Sequence, residues 1–260
     1  ASNIGSAATL VGNPQNILVG EALKLSFSKY LFDSFVPVLL SLVSLWLILS
    51  WQYKKHWLMP VKKIVVDEQP FSLGQSIKGG IITLCLLAVF IFGFFSRDVA
   101  ALSAAGFLLI SRSMRSRDIL KNVNWQLLVL FISLFIVNFA LNESGMLQEF
   151  QNFVLNGGID LYKPGWLFVV SAGLSNIVSN VPTVMLLLPL AKHPLAGSVL
   201  ALSSTLAGNF FIVGSIANII VVQQSDRLGV HLSWVEHAKT GMPVALVSLT
   251  IAGLWLWLSS

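Results

Sequence analysis

The stretch TLVGNPQNILV at residues 9–19 decides the fold of this chain, because its pattern recurs as FIVGSIANIIV at residues 211–221. Both copies place a glycine and, four residues later, an asparagine within an otherwise apolar run. Glycine is a poor helix former, and an amide in lipid needs partners for its hydrogen-bonding groups. The pattern therefore predicts two interrupted helices, whose open backbone must be buried in protein or line a watery cavity.

The composition of the chain is typical of an integral membrane protein. Of its 260 residues, 55% are hydrophobic and only 10% are charged, and the mean hydropathy is +0.81. A soluble domain of this composition would expose a very large apolar surface. Apolar runs recur along the whole sequence, so a single targeting segment does not account for them. Because the sequence opens within a motif at Ala1, we expect it to lack an N-terminal part.

The basic residues indicate which loops face the cytoplasm, and their distribution argues against nucleic acid as a partner. Nine of the sixteen Lys and Arg residues fall in two loops, namely Lys54, Lys55, Lys62, Lys63 and Lys78, and Arg112, Arg115, Arg117 and Lys121. By the positive-inside rule both loops are predicted to be cytoplasmic, although such clusters can also contact anionic lipid. The single cysteine, Cys85, excludes a disulfide framework and a cysteine metal site.

The apolar runs divide the chain into three predicted regions. Residues 1–51 form the end of a first repeat, with a broken helix and one span, and residues 52–78 form a basic cytoplasmic linker. Residues 79–260 form a second repeat, which ends with a broken helix at 196–222 and a final span at 242–258.

A polar cluster within an uncharged apolar segment predicts a re-entrant hairpin at residues 165–191. Its centre reads SNIVSNVPT at residues 175–183, with two Ser-Asn pairs and a proline. An ordinary span rarely carries such a cluster, whereas the tip of a hairpin can bury it in protein. With this hairpin, the two broken helices cross the membrane in opposite directions, so the repeats are predicted to be inverted.

The two breaks and the hairpin tip predict one uncharged binding site near the middle of the bilayer. An opened helix exposes N–H groups that attract anions and carbonyls that coordinate small cations such as sodium. Hydroxyl and amide side chains add further donors and acceptors. The predicted site residues are Ser6, Thr9, Asn13, Asn16, Ser175, Asn176, Ser179, Asn180, Thr183, Asn209, Ser215 and Asn218. Each of them alone is compatible with a packing role between helices, but packing does not require paired breaks.

Other chemistry finds little support in the sequence. It contains no Walker motif, nucleophile elbow or cluster of metal ligands, so neither an ATP-driven pump nor an enzyme is predicted. A proton relay needs a carboxylate or histidine within the bundle, and the broken segments contain neither. His193, beside Pro194, is interpreted as an interfacial side chain. No cofactor is predicted except a sodium ion at the same site residues.

These motifs resemble those of the ion transporter superfamily, which contains arsenite and anion permeases, citrate and dicarboxylate symporters and certain sodium/proton antiporters. SNIGSAATLVGNPQN at residues 2–16 is similar to the broken helix after the family's first hairpin, with its pattern G-S-x-x-T-x-x-G-x-P-x-N. NW at 124–125 before LLVLF at 127–131, SNVP at 179–182 and the motif at 214–221 follow in the family's order. The resemblance covers essentially the whole chain.

The resemblance implies that hairpins and broken helices of two inverted repeats form a transport domain, which moves against a scaffold, commonly in a homodimer. The dicarboxylate branch has Ser-Asn-Thr at the hairpin tip and a proline at the position of Ile212, whereas here Val181 follows Ser179 and Asn180. These differences favour the arsenite and general anion permease branch. They count against sodium coordination by the hairpin.

We therefore predict an all-α integral membrane protein with the inverted-repeat architecture of a transporter. The expected function is secondary active transport of a small anion, namely arsenite, an inorganic oxyanion or a carboxylate, across the inner (plasma) membrane, with sodium or proton coupling open. A sodium/proton antiporter and a non-transporting membrane scaffold are the alternatives.

Overall fold

The structure is a computed structural model that describes residues 1–54, 72–110, 123 and 125–259. The regular elements within these residues are all helical, which confirms the predicted all-α fold. The α-helices, in chain order, are α1 (Ser2–Ser6), α2 (Pro14–Ala22), α3 (Phe27–Gln52), α4 (Leu73–Phe92), α5 (Arg97–Leu109), α6 (Trp125–Glu143), α7 (Met146–Asn156), α8 (Pro164–Val178), α9 (Asn180–Leu187), α10 (Ala196–Ala207), α11 (Ile216–Arg227) and α12 (Trp234–Leu258).

Three of these helices are long and apolar enough to cross a membrane. Helices α3, α4 and α12 contain 26, 20 and 25 residues, and their most apolar windows have mean hydropathies of 2.1, 1.9 and 1.8. At 1.5 Å per residue each of them exceeds or matches the thickness of a bilayer core. The chain is thus a membrane protein, as its composition predicts.

The chain divides into two compact units. The larger comprises Ala1–Trp57 and Leu134–Ser260, and the smaller comprises Leu58–Ser133. In the smaller unit α4 packs against α5, and Gly93 ends α4 in the left-handed conformation, with φ of 69°, which favours glycine. Of the nine basic residues in the predicted cytoplasmic loops, only Lys54 and Lys78 lie within the described residues.

Helix α10 forms the centre of the larger unit. Each of its residues from Ala196 to Ala207 is buried, and the helix packs against α8 and α12 and also contacts α1, α2, α3 and α9. A helix that is apolar on all sides is expected at such a position. The second motif begins just after α10, and its residues Ile212, Gly214 and Ser215 are buried beside the end of this helix.

Helix α7 is an element that the sequence pattern did not predict. Its residues, which include Glu149, precede the predicted hairpin, in a stretch where no helix is predicted from the sequence. Leu147 is buried, and Phe150 and Val154 pack on the core of the unit. Residues three and four apart lie on one face of a helix, so this short amphipathic stripe is what holds α7 in place.

Candidate functional site

The first motif forms a break between α1 and α2. Asn13 caps α2, and its side-chain oxygen accepts a hydrogen bond from the Asn16 N–H at 2.8 Å. The fully buried Asn16 side chain donates back to the carbonyls of Ser6, at 3.4 Å, and Thr9, at 3.0 Å. An unpaired carbonyl in this position would be costly, so Asn16 stabilises the open backbone.

The second motif forms an equivalent break between α10 and α11. Ser215 caps α11 and accepts from the N–H of Ala217 at 3.2 Å. The Asn218 side chain donates to the carbonyls of Gly208, at 2.7 Å, and Phe211, at 3.2 Å. In both breaks the asparagine reaches residues ten and seven positions earlier in the chain. The sequence repeat therefore corresponds to a repeated set of hydrogen bonds.

The two motif glycines allow each break to fold back on itself. A Cβ atom on Gly12 would lie 2.0 Å from the carbonyl oxygen of Ser6, a distance that no side chain can adopt. A Cβ atom on Gly214 would lie 3.3 Å from the carbonyl oxygen of Gly208, which is tight. Glycine is therefore required in the first break, whereas a side chain at Gly214 would need the Gly208 carbonyl to shift by a few tenths of an ångström.

Reciprocal hydrogen bonds join the two breaks. From the first break, the Asn3 amide donates to the Oδ1 atoms of Asn209 and Asn218, both at 3.2 Å, and accepts from the Ser215 hydroxyl at 2.7 Å. This group connects the start of α1 with the second break, and all of its side chains are uncharged.

In the opposite direction, the Thr205 hydroxyl of α10, just before the second break, makes the corresponding contacts with the first break. It donates to Asn16 Oδ1 at 3.3 Å and accepts from Asn13 Nδ2 at 3.2 Å. Aligning Asn16 with Asn218 and Asn13 with Ser215 also pairs Asn3 with Thr205. Each break thus supplies a polar residue that binds the cap and the asparagine of the other.

The hairpin bend lies against both breaks. Helix α8 ends at Val178 and α9 begins at Asn180, and Ser179 between them has a φ of 76°, which is unusual for a residue with a side chain. With its amide oriented to suit its neighbours, Asn180 donates to the carbonyls of Ser204, at 2.9 Å, and Gly214, at 2.7 Å. Its oxygen accepts from Gln15 Nε2 at 3.2 Å.

Three other predicted residues of the hairpin region carry buried polar atoms without partners. Among the described residues, Ser175 Oγ, Asn176 Oδ1 and Thr183 Oγ1 make no hydrogen bond. Asn176 Oδ1 lies 3.4 Å from the point that a Cβ atom on Gly214 would occupy, so it adjoins the second break. The remaining predicted residues take part directly, since Ser6 Oγ accepts from Asn13 at 3.0 Å and Thr9 contributes its carbonyl.

Three helix N-termini meet in this network. Gln15 is the second residue of α2, Asn180 is the first residue of α9, and Gly214 directly precedes the cap of α11. The N-terminus of a helix carries about half a positive elementary charge. The side chains that join these three ends are amides and hydroxyls, so the positive potential is not cancelled by carboxylates among them.

A cavity of about 750 Å³ reaches the second break. Its lining includes Asn209 and Asn218 from the site and His231, Glu236, His237 and Thr240 from the region around the start of α12. It also includes Tyr53, which follows α3 at the start of the predicted cytoplasmic linker.

Four residues of the network were not predicted to belong to the site, namely Asn3, Gln15, Tyr30 and Thr205. The Tyr30 hydroxyl donates to the carbonyl of Ala7 at 2.8 Å and accepts from Asn16 at 3.1 Å. Extending the motif alignment by six residues toward the N-terminus would have paired Asn3 with Thr205 as two polar residues in apolar surroundings. Neither Gln15 nor Tyr30 has a polar counterpart in the second copy, so the repeat gives no signal for them.

Comparisons with known proteins agree with the resemblance found in the sequence. The family model described as citrate transporter matches residues 1–199. Uncharacterized transporter Rv2685 of Mycobacterium tuberculosis is 29% identical over an alignment of 279 positions, which covers 99% of this chain and 65% of that protein.

Two further relatives come from other bacteria. Uncharacterized transporter slr0753 of Synechocystis is 26% identical across 99% of this chain and 66% of its own length. Inner membrane protein YbiR of Escherichia coli is 30% identical across 87% of this chain and 56% of its own length. The chain thus spans less than two thirds of the length of these three relatives.

Proposed function

Because this chain belongs to the citrate transporter family, we propose that it forms the binding site of a secondary active transporter, which moves a small anion across the inner (plasma) membrane by alternating access. The substrate class is arsenite, an inorganic oxyanion or a carboxylate. Relatives named as transporters and as an inner membrane protein support this proposal.

The observation that carries the proposal is the reciprocal bonding between the two breaks. Asn3 binds Ser215 and Asn218 of the second break, and Thr205 binds Asn13 and Asn16 of the first. Helices that only anchor a protein in lipid have no need of open backbone at a shared centre. Discontinuous helices that meet in this way are typical of the substrate sites of secondary transporters.

The electrostatics of the site favour an anion over a cation. The N-termini of α2, α9 and α11 direct their partial positive charges toward the network, and helix N-termini commonly bind anions. The carbonyls that would otherwise attract a cation already accept from Asn16 and Asn218. The carbonyls of Thr9 and Phe211 accept in addition from the N–H groups of Gly12 and Gly214, whereas those of Ser6 and Gly208 keep a second lone pair. A sodium ion at these residues therefore stays part of the proposal as a coupling ion.

Alternating access requires that the site open to one side of the membrane at a time. The cavity of about 750 Å³ at Asn209 and Asn218 is a route to the second break. Tyr53 in its lining lies at the start of the predicted cytoplasmic linker, so this route would lead to the cytoplasm. We also infer a homodimer from the superfamily resemblance, which light scattering of the detergent-solubilised full-length protein would test.

The proposal is tested by uptake into proteoliposomes that contain the full-length protein. Arsenite, sulfate, citrate and succinate are offered as probes, each with and without a sodium gradient and a proton gradient. We expect uptake of at least one anion, and loss of this uptake in Asn218→Ala. Asn152→Ala on the exposed surface of α7 is the matched control and should transport like the wild type.

A folded wild-type protein that carries none of the four anions under any gradient would overturn the proposal. Equal uptake by Asn218→Ala and the wild type would place the substrate elsewhere. Thermal unfolding with each anion provides an independent measurement, because a ligand that binds only the folded protein raises its stability with concentration.

A further inference from the structure

Gln15 is a site residue for which the second break has no equivalent. The motif alignment pairs it with Ala217, although the adjacent pair, Asn16 and Asn218, is conserved between the two copies. Gln15 is only 4% exposed. A long amide that must find hydrogen-bond partners is therefore buried where the second copy carries a methyl group.

The amide of Gln15 binds two elements at once. Its Nε2 atom donates to Thr205 Oγ1 of α10 at 3.1 Å and to Asn180 Oδ1 at the start of α9 at 3.2 Å. Asn180 in turn donates to the carbonyls of Ser204 and Gly214. Hydrogen bonds therefore run from the first break through Gln15 to the hairpin bend, and through Asn180 to the second break.

Two positive helix ends lie on either side of this amide. Gln15 belongs to the first turn of α2, and Asn180 begins α9. The partial positive charges of two helix N-termini repel each other when no anion lies between them. A neutral donor that reaches across from one N-terminus to the other holds the two ends together without supplying a negative charge that would compete with the substrate.

We propose that Gln15 is a positioning residue that holds the N-terminus of α9 beside that of α2, and that it thereby sets the affinity of the site for its anion. This inference rests on the proposed function and specifies how the site is assembled. The N–H donor of Gln15 is the essential feature, because the Asn180 amide has a fixed orientation. Its nitrogen donates to the carbonyls of Ser204 and Gly214, so its Oδ1 atom faces Gln15 and can only accept.

The test compares two variants of the full-length protein in which the shape is nearly kept and the donor is lost. Gln15→Glu replaces the donor with a carboxylate at neutral pH, and Gln15→Met removes it without adding charge. We expect the KM for the transported anion to rise about tenfold in Gln15→Met, as for the loss of a buried hydrogen bond, and further in Gln15→Glu.

The pH dependence separates positioning by a donor from simple packing. A protonated carboxylic acid has an O–H that can donate to Asn180 Oδ1. Uptake by Gln15→Glu, divided by that of the wild type at the same pH, should therefore increase as the pH is lowered from about 8 to about 5. Uptake by Gln15→Met should show no such increase. Gln223→Glu, an exposed change of the same kind on α11, is the control and should match the wild type at both pH values.

The outcomes are distinguishable. Uptake by Gln15→Glu and Gln15→Met equal to that of the wild type at every pH would overturn this inference and leave the proposed function standing. A wild type that carries none of the four probe anions would overturn both. If thermal unfolding shows that Gln15→Glu does not fold, the tenfold rise in KM of Gln15→Met with unchanged kcat supports the inference, and an unchanged KM refutes it.

Discussion

The two breaks share one set of hydrogen bonds but lie in different surroundings. Asn16 of the first break is fully buried and also binds the Tyr30 hydroxyl. Asn218 of the second break is half-buried and lines the cavity of about 750 Å³. The alignment pairs Tyr30 with Leu232, an exposed residue of the cavity lining. A repeated motif thus determines the backbone of each break, while neighbouring side chains determine how far the motif asparagine is buried.

The largest effect should come from filling the space above Gly12. A Cβ atom there would lie 2.0 Å from the Ser6 carbonyl oxygen, so Gly12→Ala must force the first break apart. We expect the free energy of unfolding to fall by about 3 kcal/mol or more, measured by denaturation in detergent. Gly214→Ala, with 3.3 Å to the Gly208 oxygen, should cost clearly less. Gly5→Ala meets no atom within 4 Å and is the control.

The two motif asparagines should then separate stability from transport. Asn16→Ala leaves the Ser6 carbonyl unpaired and removes hydrogen bonds to the Thr9 carbonyl and the Tyr30 hydroxyl, so we expect it to lower the free energy of unfolding by about 2–3 kcal/mol. Asn218→Ala should cost only about 1 kcal/mol, because water in the cavity can replace its bonds. Yet Asn218→Ala should abolish uptake. Equal losses of stability in the two variants would contradict the difference in burial.

The reciprocal bonding can be tested at Thr205. Thr205→Val keeps the shape of the side chain but removes the partner of Asn13, Gln15 and Asn16, and should lower the free energy of unfolding by about 1–2 kcal/mol. Thr250→Val, at an exposed position of α12, is the matched control. Combining Thr205→Val with Gln15→Met should cost less than the sum of the two single changes, because both remove one shared hydrogen bond. Full additivity would show that the bond contributes nothing.

The local features of the fold could be predicted from the sequence. Gly12 and Gly214 with Asn16 and Asn218 mark the breaks, because glycine and amides inside apolar runs have a strong local effect on helices. The membrane character follows from composition alone, and the match to the citrate transporter family confirms the resemblance. Helix α7 was missed because its apolar stripe is short and its other residues are polar.

The contacts between distant residues could not be predicted. Asn3 and Asn218 are separated by 215 positions in the chain, so their bond depends on how α1 packs beside the second break. Thr205 lies inside a helix that is buried on all sides, where its hydroxyl is marked only by the extended alignment with Asn3 and not by its local sequence. The binding roles of all the predicted site residues stay predictions, as do the three-region division and the inverted orientation of the repeats.

The smallest effect that bears on the comparison concerns Tyr30. Tyr30→Phe removes a hydroxyl that binds both the Ala7 carbonyl and Asn16, whereas no tyrosine among the described residues binds Asn218. We expect a loss of about 1 kcal/mol in the free energy of unfolding. Tyr162→Phe, at an exposed position, is the control and should leave the free energy of unfolding unchanged. If the Tyr30 hydroxyl keeps water away from the buried Asn16 side chain, its removal should also increase the access of solvent to the neighbouring Ser6. A cysteine at Ser6 should then react faster with a water-soluble thiol reagent in the Tyr30→Phe background, while a cysteine at Val222, in the cavity beside the second break, should react at an unchanged rate. An unchanged rate at Ser6 would mean that packing around the first break, rather than the hydroxyl, keeps water out.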